Sequence, residues 1–132
     1  MNSEEFKIVG ARLSTATTRV SASIGFAKAL HAQSKPPAYL VGEVEVNDPE
    51  SMKPYITGVI DVVAKYGGKY IVRGGHSETL EGSAPTGRFA IVQFNSSEEL
   101  KRFWESAEYQ EIAKVRQAAS RSRFFVIEGY LP

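Results

Sequence analysis

Tyr66 to Gly82, YGGKYIVRGGHSETLEG, is the stretch on which the reading of this chain turns. It holds two Gly-Gly pairs, a short apolar run between them, and an arginine and a histidine flanking the second pair. Gly67-Gly68 ends a helix by allowing positive φ. Lys69 to Arg73 then reads as a strand. Gly74-Gly75 relaxes it, and His76 to Leu80 is expected to continue as an irregular edge. Everything upstream reads as a strand and a helix leading in; everything downstream reads as a strand, a helix and a last strand.

Working outward, Ala38 to Val46 (AYLVGEVEV) alternates with period two, the mark of a strand. Leu40, Val44 and Val46 point one way, and Tyr39, Val41, Glu43 and Glu45 the other. Asp48-Pro49-Glu50 opens a helix with an Asp cap, a proline at the first helical position and an acid in the first turn. Met52, Tyr55, Ile56, Val59, Val63 and Tyr66 form its apolar stripe, with Pro54 expected to bend the first turns. Downstream, Gly82 to Gly87 is a loop and Arg88 to Phe94 a third strand. Ser96 with Glu99 makes a capping box for a helix striped by Leu100, Phe103, Trp104 and Ala107. Ser106 looks like a fresh cap, so a break is expected there. Tyr109, Ile112, Ala113 and Arg116 continue the stripe, and Arg121 to Tyr130 is the final strand.

The order strand, helix, strand, strand, helix, strand is the split βαβ, ferredoxin-like α+β arrangement: an antiparallel sheet with two helices on one face. The patterned domain spans residues 37–132. Residues 1–36 read as an N-terminal arm, or as a degraded signal-like segment. Val20 to Leu30 has the length of an export signal's apolar run, but Lys28 interrupts it and Glu4 and Glu5 sit where a basic region belongs. The expected location is therefore cytoplasmic, with the periplasm as the alternative if that segment works.

Composition narrows the function classes. The 132 residues suffice for one domain with a real core. A net charge of +1, split as +3 over residues 1–35 and −2 over 36–132, lacks the basic face of a nucleic-acid binder. No run of 18 apolar residues predicts a membrane span. Without cysteine there is no disulfide framework, zinc ribbon or thiol nucleophile. His31 and His76 are far apart and form no HxH or HExxH pair, so no metal is expected. Gly-Gly-His lacks the lysine and following helix of a phosphate loop, and no cofactor is expected.

The strands carry one further signal. An antiparallel sheet with a wet face alternates apolar and polar residues. IVQF and RFFVIEGY are apolar on both parities. The second face is therefore expected to be covered, most economically by a second copy in a two-fold homodimer. Glu43, Arg73, Arg88, Gln93 and Glu128 would then be partly enclosed and in need of partners or a ligand.

The combination of NDPE at 47–50, KPY at 53–55, KYGGKYIVRGG at 65–75, LEG at 80–82, SxEYQ at 106–110, Arg116 and VIEGY at 126–130 resembles domain-of-unknown-function family 1330. The resemblance covers about Pro37 to Leu131, and YGG, five residues, GG is its most specific part. LHAQ at 30–33 also resembles the end of the signal in exported members. The family is similar to the dimeric α+β barrel proteins, whose ferredoxin-like subunits face each other through their sheets. Relatives in that wider group include cofactor-free monooxygenases, lactone isomerases and haem enzymes. The family itself has no established reaction, so the resemblance implies a fold and leaves function open.

Candidate chemistry follows from residue type. Arg73 before two glycines could hold a carboxylate or phosphate by paired hydrogen bonds; the bland alternative is an ion pair with Glu43 or Glu128. Arg116 on the core-facing stripe must meet an acid, a carbonyl or a ligand, unless its head reaches water. Arg73, Arg88, Trp104, Tyr109 and Arg116 are the candidate ligand-binding set, although Tyr66 and Trp104 read first as core. His76 is a candidate general base, against the reading of a solvated loop histidine. Glu43, Glu81 or Glu128 could supply an acid–base carboxylate if enclosed. Three functions remain open: a homodimer binding a small anionic or aromatic molecule in a cleft beside the sheet, a cofactor-free enzyme of monooxygenase or isomerase type, and a purely structural or interaction module.

Overall fold

A computed structural model describes residues 35–132. The expectation for residues 1–36 falls almost wholly outside the described residues. The elements run β1 (Ala38–Val46), α1 (Pro49–Lys65), β2 (Lys69–Arg73), β3 (Arg88–Phe94), α2 (Ser97–Trp104), α3 (Ala107–Ala119) and β4 (Ser120–Glu128). The sheet is antiparallel throughout in the order β2-β3-β1-β4. The fold is ferredoxin-like, with β1 central and the helices on one face.

Local chemistry places each boundary. Asp48 caps α1 by accepting from the Ser51 backbone N–H at 3.2 Å, and Pro49 occupies the first turn without leaving a donor orphaned. Gly67 ends α1 with φ of 84°. Ser96 caps α2 and Ser106 caps α3, each accepting an N–H three residues on. The break expected at Ser106 is thus present, and it divides the second helical segment into α2 and α3. Two expectations needed adjustment. Residues 74–87 form no strand, so no edge continues beyond Arg73. The register also shifts between Tyr70 and Val72, a bulge that the sequence pattern did not signal.

The core lies between the helices and one sheet face. Ala38 and Leu40 of β1, Val92 and Phe94 of β3, Val59 and Val63 of α1, and Leu100, Phe103, Tyr109 and Ala113 of α2 and α3 are all buried together. The other face is apolar as well. Val72, Ile91, Val41 and Phe125 form one cross-strand row, with Gln93, Tyr39 and Ile127 beside it. Phe125 is 43% exposed and Ile127 is 52% exposed. No helix among the described residues is long and apolar enough to cross a membrane.

Glu43 is the buried acid on that outer face. It sits directly opposite Arg123 in the β1–β4 pairing and accepts from the Arg123 Nε at 2.7 Å. Its second oxygen accepts from the Thr86 and Gly87 backbone N–H groups at 2.8 and 3.2 Å. Arg123, then Gly87 and Thr86, hold its carboxyl below the ordinary 4.5. Asp48 and Glu108 are lowered too, the first chiefly by Ser51, the second by Lys65 and Tyr66. Carboxylates made more acidic by folding stabilise the fold fully above their unfolded pKa, and that stability drains away as pH falls through the lower folded value. Thermal melts should therefore hold steady from neutrality to about pH 5 and fall below it. Glu43→Gln should melt lower at pH 7 and lose less on acidification. Parallel acid limbs in the two proteins would remove Glu43 from this account.

Candidate functional site

A cavity of about 690 Å³ opens between α1 and the helix-side face of the sheet. Its helical wall is the α1 stripe of Met52, Tyr55, Ile56, Val59 and Val63, whose spacing of three and four keeps them on one side. Its sheet wall comes from Leu40 and Val44 of β1, Ala90 and Val92 of β3, and Tyr70 of β2. Phe124 of β4, Phe103 and Tyr109 also line it. A volume of this order suits a drug-sized organic molecule.

Phe124 lies flat over the central strand because Gly42 stands opposite it in the β1–β4 pairing and has no side chain. This is a glycine used for close approach, the usual reason to find one inside a strand.

Two exposed arginines stand at the rim. Arg73 donates from Nη2 to the Ile56 carbonyl at 2.8 Å and lies 4.6 Å from the centre of the Tyr70 ring. Arg88 donates from Nη1 to the Gly74 carbonyl at 2.6 Å. Each guanidinium has five N–H donors, so most of their capacity remains unused. Neither is ion-paired among the described residues. The alternative pairing of Arg73 with Glu43 or Glu128 is not what forms; Glu43 takes Arg123 instead. Glu45 is the one carboxylate among the lining residues, so the charged lining is net positive.

The deep end is aromatic and hydroxylic. Tyr109 is fully buried, and its hydroxyl lies 3.2 Å from that of Tyr55. Burial first, and then the neighbouring Tyr109, pushes the Tyr55 phenol far above its ordinary value, so it stays protonated. Tyr70 is raised as well, chiefly by burial. Arg116, only 3% exposed, neither reaches water nor meets an acid. It donates to Ser122 Oγ at 2.6 Å and to the Tyr109 hydroxyl at 3.3 Å. Its guanidinium lies 4.3 Å from the Phe124 ring centre and 5.6 Å from that of Tyr55. Arg116 is not itself a lining residue; it stands behind Tyr55, Tyr109 and Phe124.

The cavity thus gathers Arg73, Arg88 and Tyr109 from the candidate set, with Arg116 one layer back. Trp104 is half-buried and stacks on Tyr109 and Phe124 with centroids 5.0 and 5.5 Å apart, outside the cavity. His76 and Glu81 are exposed in the segment between β2 and β3, and Glu128 is exposed at the end of β4. None of these three lines the cavity, and neither does Glu43. Tyr55, Tyr70 and Phe124 are site residues that sequence reasoning missed. A phenol on the buried stripe of α1 was the available signal for Tyr55, since a buried hydroxyl needs a partner. Among the described residues no cluster of His, Cys, Asp or Glu could hold a metal.

Comparison with known proteins bears on the fold and the family. A crystal structure of a protein of unknown function from Rhodopseudomonas palustris is 20% identical, with a TM-score of 0.61 over 82% of this chain and 93% of that one. SnoaB, a cofactor-independent oxygenase from Streptomyces nogalater, is 13% identical, with a TM-score of 0.53 over 74% of this chain and 96% of that one. A hypothetical protein from Arabidopsis thaliana is 16% identical, with a TM-score of 0.52 over 75% of this chain and 89% of that one. At these identities the likeness shows the fold alone. No curated protein matches. The sequence profile of a domain of unknown function, DUF1330, matches residues 37–130, from the entry to β1 through the whole sheet, and the chain belongs to that family.

Proposed function

We propose that the protein is a homodimer, each subunit of which binds a small anionic or aromatic molecule in the cleft between α1 and the sheet. The observation that carries this reading is the cavity itself: apolar walls, phenols at depth, and Arg73 and Arg88 without a carboxylate partner at the rim. A free guanidinium pair beside an apolar space suits an organic acid, because each can take a carboxylate by two parallel hydrogen bonds. The homodimer is supported by the Val72-Ile91-Val41-Phe125 row and exposed Ile127 on the outer face. Glu43 on that face is already paired with Arg123 inside the subunit, so it would not enter an interface as a bare charge.

Native mass spectrometry should return a dimer mass. A thermal-shift screen of small carboxylates, phosphates and aromatic acids should find compounds that raise the melting temperature, since a ligand at a hundredfold excess over Kd adds about 2.7 kcal/mol. Arg73→Ala and Arg88→Ala should each weaken the shift by acids and spare that by neutral aromatics. A monomer would end the dimer reading; a protein indifferent to every compound would leave the structural role as the better one.

The second reading is a cofactor-free enzyme, for which the fold shared with an oxygenase described as cofactor-independent is the support. His76, Glu43 and Glu128 lie off the cavity, which leaves Glu45 and the tyrosines as its proton-moving groups, with Tyr55 and Tyr109 the ones at depth. Turnover that survives Tyr55→Phe and Tyr109→Phe together would defeat that version.

A further inference from the structure

We infer that the cavity is built for an oxo acid: an apolar or aromatic body with a carboxylate held at the rim and a carbonyl oxygen seated against the Tyr55–Tyr109 pair. The inference rests on the binding reading above and adds the chemistry of the ligand's buried end.

Arg116 has donors only, so in its 3.3 Å contact the Tyr109 oxygen must accept. The two phenols have two protons and share one contact, at 3.2 Å. If Tyr109 donates to Tyr55, the Tyr55 proton is left over; if Tyr55 donates, the Tyr109 proton is left over. In both cases one phenolic O–H has no acceptor among the described residues. Both tyrosines line the cavity, so a ligand oxygen seated against the pair is the acceptor that the unspent donor lacks. A buried donor left unmade is costly, and a ligand oxygen would recover that cost.

The charge behind the pair selects the kind of oxygen. Arg116 is buried and among the described residues has no carboxylate partner; its Nε has no hydrogen bond at all. It polarises the phenols facing it, and a hydrogen-bonded chain strengthens in one direction. When Tyr109 donates to Tyr55, the chain runs Arg116 to Tyr109 to Tyr55 to ligand with every proton pointing the same way; when Tyr55 donates, it runs from Arg116 through Tyr109 to the ligand. An acceptor that gains negative character on binding is favoured there. A carbonyl oxygen offers two lone pairs and brings no proton of its own, whereas an alcohol would bring a donor into walls made by Phe103, Phe124 and Val92. The exposed arginines of the lining supply the second anchor. Two anchors of different chemistry, an exposed guanidinium and a buried phenol, give an orientation as well as a class.

Three probes test this: 4-oxo-4-phenylbutanoate, 4-phenylbutanoate, which lacks the ketone, and butyrophenone, which lacks the acid. Calorimetric titration of the wild-type protein should rank the oxo acid about tenfold or more above 4-phenylbutanoate, as befits a hydrogen bond backed by a charge. With a ¹³C-labelled ketone, infrared difference spectra should show the carbonyl stretch moved to lower frequency on binding. A single Tyr→Phe change leaves the other phenol's proton free, so the informative variant is Tyr55→Phe with Tyr109→Phe. That variant should bind both acids equally and show no carbonyl shift, while Arg73→Ala should keep the carbonyl shift and lose the preference for acids over butyrophenone. Circular dichroism confirms that the double variant is folded before its titrations are read. If both acids bind the wild type equally, with no carbonyl shift, the cleft binds acids and the oxo-acid inference is wrong. If none of the three binds, the binding reading falls with it.

Discussion

Phe103→Ala is expected to cost about 3–5 kcal/mol, the range for removing a buried phenylalanine ring. Phe103 is 1% exposed and touches three other rings: Tyr109 at 4.5 Å between centroids, Phe94 at 5.3 Å and Tyr66 at 6.2 Å. It joins sheet, α1 and α3 at a single point, and one side of it forms cavity wall. Its loss therefore removes edge and tilted ring contacts as well as apolar burial. The existing void also widens, and neighbours around an open cavity have little reason to close in. Small domains hold about 5–15 kcal/mol in total, so the variant should be near the limit of folding at 37 °C. Urea titration followed by near- and far-ultraviolet circular dichroism measures the loss. A cost below about 1 kcal/mol would mean that the α2–α3 segment collapses onto the sheet, contrary to the packing described.

Gly42→Val is expected to fail in a different way. A Cβ built at Gly42 would stand 2.7 Å from Cδ1 and Cζ of Phe124, with Cε1 nearer still. Phe124 must then move. It can leave its stack on Trp104 and Arg116, or it can turn into the cavity; either move spoils the site. Overpacking of this kind costs about 1–3 kcal/mol in stability, and binding of any cavity probe should vanish. A Phe124→Ala change added to Gly42→Val should recover part of the stability, giving a non-additive cycle. Strictly additive losses would show that Gly42 matters for the strand's backbone and not for the ring above it.

The fold was legible because its signals are local. Period two in β1, the Asp48-Pro49 start of α1, Gly67 after it, and the serine caps at 96 and 106 all act within a few residues. The bulge at Ile71 and the lack of strand after Arg73 depend on what β3 offers across the sheet, so no stretch of β2 announces them. The site divides along the same line. Arg73 and Arg88 stood out as charges on apolar strands, and both are at the cavity rim. Arg116 stood out on its helix, but its partners come from β4 and, through Tyr55, from α1. Hydroxyls and ring faces surround it in place of an acid or a carbonyl, its Nε stays unbonded, and no spacing in the sequence brings those residues together. His76 was conspicuous for its chemistry alone, and the fold leaves it in solvent.

The sheet order has a consequence for how the chain comes to be folded. β1, the first strand among the described residues, is flanked by β3 and β4, and the ion pair from Glu43 to Arg123 closes a separation of 80 residues. Contacts of that range are slow to form, because the entropy of closing the loop is lost before any contact rewards it. During synthesis from the N-terminus, β1, α1, β2 and β3 can assemble while one side of β1 still lacks a neighbour. The exposed edge waits for Ser120–Glu128 to leave the ribosome. Until then Phe124 is absent, Arg116 has no shelf to rest on, and the cavity has no fourth wall.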